Sequence, residues 1–132
     1  MMPRGIRNNN PGNIKKSTIK WLGKIEGEDA VFETFDTMEH GIRALIIIIK
    51  TYILKHKLDT IEAIIKRFAP ATENDTYKYI DFVCRYTGFD RNTIIFFDLE
   101  DILPLVKAIC RMEQGGEYIT NEQIEKVWEG LR

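Results

Sequence analysis

Histidine, cysteine and proline are all scarce in this chain of 132 residues. The two histidines, His40 and His56, stand far apart with no cysteine close by, so no ligand spacing for a metal site is present. The two cysteines, Cys84 and Cys110, fall among apolar neighbours in helical stretches. They read as buried free thiols and imply no disulfide framework. Long apolar runs are missing too. The longest, Ala44 to Ile49, is far too short to span a bilayer, and Met1 to Gly12 is too polar to be a secretion signal. There is no phosphate loop and no glycine-rich dinucleotide turn, so no cofactor is expected. Nor does one sign of charge prevail: the balance is −1 and the pI about 6.1. That does not favour an electrostatic nucleic-acid binder.

What is present is an ordinary globular mix, 44% hydrophobic and 30% charged. The chain reads as a single domain over residues 1–132, long enough to bury a core without staples. The charge is distributed unevenly. Met1 to Lys24 holds six basic side chains (Arg4, Arg7, Lys15, Lys16, Lys20, Lys24) and no acid, whereas Glu26 to Glu39 holds six acids and neither lysine nor arginine. Two readings stay open: solvated surfaces that offset each other, or a basic rim facing an anionic polymer.

The Pro, Gly and Asn residues of Met1 to Asn13 predict loop built on tight turns. Between Ile14 and Phe35, short apolar pieces predict one irregular hairpin, with Ala30 to Phe35 as its second strand. Five helices follow. Thr37 caps a long one, Met38 to about His56, whose apolar 3–4 spacing marks it as central. Asp59, with Glu62 three residues on, predicts a capping box for the next, which Pro70 ends. Asn74 or Asp75 opens the third, with a stripe of Tyr79, Phe82, Val83 and Tyr86 and Gly88 just past its end. Asp98 caps the fourth, with Pro104 marking a kink or a later start near Leu103. Thr120 and Gln123 box the fifth, from which Ile124, Val127 and Leu131 face inward. The fold class is mainly α (α+β), with a small β-hairpin near the N-terminus.

One carboxylate breaks the pattern. Leu99, Ile102, Leu103, Val106, Ile109 and Cys110 share a helical face, and Glu113 continues it just before Gly115-Gly116 stops the helix. A glutamate on an inward stripe is costly unless it is paired. Burial and the negative helix end both favour its protonated form, the property a glycosidic general acid needs. The plain alternative is a helix-end glutamate bent to solvent or locked to a basic side chain.

The helix ending in Met112-Glu113-Gln114-Gly115 resembles the catalytic helix of the lysozyme superfamily, where lytic transglycosylases and glucosaminidases place Glu before a small residue and Gly. Asn9-Asn10-Pro11-Gly12-Asn13-Ile14-Lys15 with Trp21-Leu22-Gly23 is similar to the loop and strand that follow that helix. Phe32-Glu33-Thr34-Phe35-Asp36-Thr37 resembles the next stretch, and Ala69 to Ile80 a later groove segment. The order differs: here the acid helix comes about 100 residues after the Asn/Gly loop, as a circular permutation would give. The opening Arg4 to Ile14 is also similar to that of small phage and prophage proteins described as virion structural proteins.

The resemblance implies a lysozyme-like domain that cleaves peptidoglycan glycan strands, as muramidase, glucosaminidase or lytic transglycosylase. Glu113 would be the general acid and base. Glu26 and Glu33 are candidates for a second carboxylate, with a solvated hairpin face as the alternative. Asn9, Asn13, Trp21, Tyr79, Glu73 and Asn74 are candidates to line a sugar groove. Turn chemistry for the asparagines, core packing for the aromatics and helix capping for Glu73 and Asn74 are the alternatives. The partners implied are glycan strands and other virion proteins, with no membrane; a nucleic-acid contact through the basic N-terminal segment is the weakest reading. A noncatalytic virion or assembly protein that keeps the fold is the competing reading. The expected location is the cytoplasm of an infected or lysogenic bacterium, with delivery in a virion or release at lysis.

Overall fold

The computed structural model describes residues 2–131. A four-residue helix, α1 (Arg4–Arg7), leads into the asparagine turns, then a short hairpin of β1 (Lys24–Ile25) and β2 (Thr34–Phe35). Then come α2 (Met38–Lys50), α3 (Ile61–Phe68), α4 (Thr76–Thr87), α5 (Leu99–Gln114) and α6 (Asn121–Gly130). The chain is mainly helical with one small antiparallel hairpin near its N-terminus. The hairpin is slighter than its sequence suggests, since only Lys24 and Ile25 pair with Phe35 and Thr34, and an isolated bridge joins Lys15 to Phe32.

The caps follow side-chain chemistry. The hydroxyl of Thr37 accepts from the His40 backbone N–H at the start of α2. Thr120 and Gln123 form the reciprocal capping box of α6. At α3 the cap is Thr60, whose hydroxyl accepts from Ala63 N–H, and not Asp59. The Asp59 carbonyl instead accepts from Ile95 N–H at 2.6 Å, a long-range tie with no local signal. Asp75 caps α4, and Gly88 closes it in the left-handed conformation that glycine adopts freely. On α4 the buried stripe runs through Tyr79, Ile80 and Val83, leaving Tyr86 exposed. α5 starts at Leu99 and runs through Pro104.

One core cluster joins the helices and includes Ile42, Leu45, Ile46 and Ile49 of α2 and Ile102, Leu105, Val106 and Ile109 of α5. α5 packs on α1, α2, α4 and α6, so its C-terminal end meets the N-terminal loop. Gly41 permits the other close approach: a Cβ there would collide with the Asn9 carbonyl. The roughly 1 kcal/mol that glycine costs a helix interior is offset by seating the asparagine loop directly on α2. Beyond Lys50 the helix widens into a π-turn, Thr51–Lys55, of the kind often found near functional sites. Among the described residues no helix is long and apolar enough to cross a membrane.

Candidate functional site

Glu113 is the penultimate residue of α5 and is half-buried where the helix ends at left-handed Gly115. Two neutral donors hold its carboxyl. Asn13 Nδ2 donates to Oε1 at 2.9 Å and the Tyr79 hydroxyl donates to Oε2 at 2.8 Å. Among the described residues no lysine, arginine or histidine is ion-paired with it. Burial raises its pKa above the ordinary glutamate value, and the bonds from Asn13 and Tyr79 pull partly the other way. The orphan carbonyls at the end of α5 also disfavour the charged form. This carboxyl is therefore partly shielded from water and, among the described residues, not locked in a salt bridge.

Both donors come from parts of the chain far from residue 113. Asn13 has a positive φ of 51°, a conformation asparagine tolerates better than most residues. Its loop is fixed from behind, because Gln114 Nε2 donates to the Pro11 carbonyl at 2.8 Å. Tyr79 lies on the buried face of α4. Burial pushes its hydroxyl pKa well up, and the Glu113 carboxylate adds to that, so it remains a donor.

Glu113 opens on a groove of about 380 Å³, whose walls include Asn13, Lys15, Phe32, Tyr52, Glu73 and Asn74. The volume lies within the usual range for a small-ligand site. Lys15 and Glu73, both exposed, form an ion pair between two parts of the wall. Tyr52 and Ile48 add an apolar and aromatic floor that sequence reasoning missed. They are four residues apart and so share a helical face, yet only the packed structure shows that this face meets the groove. Arg67 lies over the Tyr52 ring, 5.9 Å from its centre.

Of the residues expected at the site, Glu113, Asn13, Tyr79, Glu73 and Asn74 come together, the first three through direct hydrogen bonds. The others do not join them. Asn9, with φ of 52°, donates from its side chain to the Phe35 carbonyl and serves the turn. Asn10, fully buried, donates to the carbonyls of Ile14 and Glu33. Trp21, Glu26 and Glu33 line a different cavity. Glu33 is only 1% exposed, is ion-paired with Lys24 Nζ at 2.9 Å and accepts from Ser17 N–H at 3.2 Å. It is a structural anchor for the hairpin, and Glu113 has no second carboxylate from the hairpin in its groove.

The thiols of Cys84 and Cys110 are free, and burial raises both pKa values. Neither lines the groove.

No family model matches the chain. It is similar to Protein P5 of Pseudoalteromonas phage PM2, at 43% identity over 130 residues. The match covers 96% of this chain and 80% of that protein.

Proposed function

This chain belongs to the family of Protein P5 of Pseudoalteromonas phage PM2, and on that premise we propose that it is a phage lysozyme-like protein that cleaves peptidoglycan glycan strands. The observation that carries the reading is the state of Glu113: half-buried, held by two neutral donors, without a cation, and facing a groove. A carboxyl so placed keeps its proton at higher pH than an exposed glutamate. In the reaction, the Glu113 carboxylic acid gives its proton to the glycosidic oxygen as the bond from that oxygen to the anomeric carbon breaks. The carboxylate left behind takes a proton from the attacking hydroxyl, supplied by water in hydrolysis or by the sugar itself in transglycosylation. Asn13 and Tyr79 orient the carboxyl. Tyr52 and Phe32 offer faces on which sugar rings can stack. With Glu26 and Glu33 elsewhere and Glu73 ion-paired to Lys15, Glu113 performs both proton transfers.

The test is digestion of purified peptidoglycan sacculi by wild type and Glu113→Gln, both checked for folding by circular dichroism. Wild type is expected to release muropeptides, and the variant to lose roughly 10²–10⁴-fold in rate. Product mass then separates hydrolase from transglycosylase. Equal rates would remove Glu113 from the mechanism.

A second reading is a noncatalytic component of the phage particle, and kinship with a phage protein favours it. It predicts that neither protein digests sacculi of any wall type, while the chain is recovered in purified particles.

A further inference from the structure

We propose that the cavity beside the hairpin is a second binding site, one that takes a carboxylate of an acidic peptide. Under the glycan-cleavage reading, on which this choice of ligand rests, that peptide is the stem peptide carried by the glycan strand.

The cavity has a volume of about 470 Å³. Three lysines, Lys16, Lys20 and Lys24, stand around it, with Trp21, Glu26 and Glu33. Lys24 is already committed. Its ammonium group donates to the Ser17 carbonyl at 2.8 Å and the Ile19 carbonyl at 3.0 Å and is ion-paired with Glu33 at 2.9 Å. Lys16 and Lys20 have no acidic partner among the described residues. Trp21 contributes an apolar face, and its indole N–H is shut off from solvent with no acceptor in the protein. Two uncommitted cations beside the apolar face of an indole suit a small anion with an apolar body.

The charge count selects among anions. Glu26 opposes the two free lysines at the wall, and the chain as a whole carries −1. A polyphosphate backbone gains affinity by neutralising many phosphates at once, and this cavity cannot do so. One or two carboxylates match it, and the apolar faces of Trp21 and Ile25 suit the aliphatic parts of a peptide. Position supports the same ligand. Lys15 and Phe32, bridged across the hairpin stem, wall the groove, while their chain neighbours Lys16 and Glu33 wall the cavity. Successive residues of an extended segment face opposite sides, so the two depressions back onto one thin partition.

The experiment follows the indole N–H resonances by two-dimensional NMR while the free stem tetrapeptide (L-Ala, γ-D-Glu, diaminopimelate, D-Ala) is titrated into the protein. Trp128→Phe assigns the Trp21 signal. The expected result is a saturable shift of the Trp21 signal, because its ring lines the cavity. The shift should vanish with a tetrapeptide whose carboxylates are amidated, and the affinity should fall at least tenfold in a Lys16→Gln/Lys20→Gln variant with an unchanged circular dichroism spectrum. Glu113→Gln should bind the peptide as wild type does, because binding needs no cleavage. Absence of a saturable shift at millimolar peptide overturns the proposal, even if sacculi are digested. So does a shift produced by a short oligonucleotide and not by the peptide. Peptide binding without digestion of sacculi leaves this site standing and removes the glycan-cleavage reading alone.

Discussion

At Glu113 the raised carboxyl pKa links the site to stability. The folded state holds the proton more tightly than the unfolded chain, so stability is lost as pH rises from the unfolded glutamate value through the higher folded one. Glu113→Gln removes that penalty. The variant should melt at a higher temperature than wild type near neutral pH, and the difference should shrink as the pH falls through the raised folded value towards about 4.3, the unfolded glutamate value. A pH series of thermal melts checks this, and a constant difference would contradict it. Tyr79 gives a second prediction. Its hydrogen bond favours the charged carboxyl, so Tyr79→Phe should move the basic limb of the activity profile to higher pH. A pH–rate profile on solubilised glycan distinguishes this from a general loss of folding, which would lower the rate without moving the limb.

At the level of elements, the site depends on two close packings. The loop holding Asn9 to Asn13 rests on α2 only because Gly41 lacks a side chain. Gly41→Ala gains helix propensity but forces backbone apart, and a net loss of about 1–3 kcal/mol is expected, read from urea unfolding. An increase in stability would show that the loop moves aside freely. The hairpin depends on Glu33 and Lys24, an ion pair with one end fully buried and the other partly exposed. Removing a partner from a buried pair typically costs about 3–5 kcal/mol. Exposure of Lys24 screens part of this, so Glu33→Ala should fall at or below the lower end of that range. Because Glu33 lies outside the Glu113 groove, activity per folded molecule should change far less than stability. A collapse of activity in the folded variant would bring Glu33 back into the chemistry.

Across the whole molecule one apolar cluster links α2 to α6 with the N-terminal segment. Near-ultraviolet and far-ultraviolet dichroism should therefore report a single coincident unfolding transition, and separated transitions would reveal a second unit. Much of this was legible in the chain alone. Helices with caps at Thr37, Asp98 and Thr120 and a stop at Gly88 follow from local side-chain chemistry and 3–4 spacing, as does an inward-facing Glu113 at the end of α5. Those features depend on residues within a turn or two of one another, so the sequence by itself determined them. It could not separate Asn13 from Asn9, since both occupy left-handed turns in one short motif. Nor could it tell that Glu33 and Trp21 face away from Glu113, or that Tyr52 faces the groove. Tertiary structure decided these, because Asn13 and Glu113 are 100 residues apart. Whether a side chain meets that carboxyl depends on how α5, α4 and the asparagine loop pack around the shared core, which no local pattern encodes.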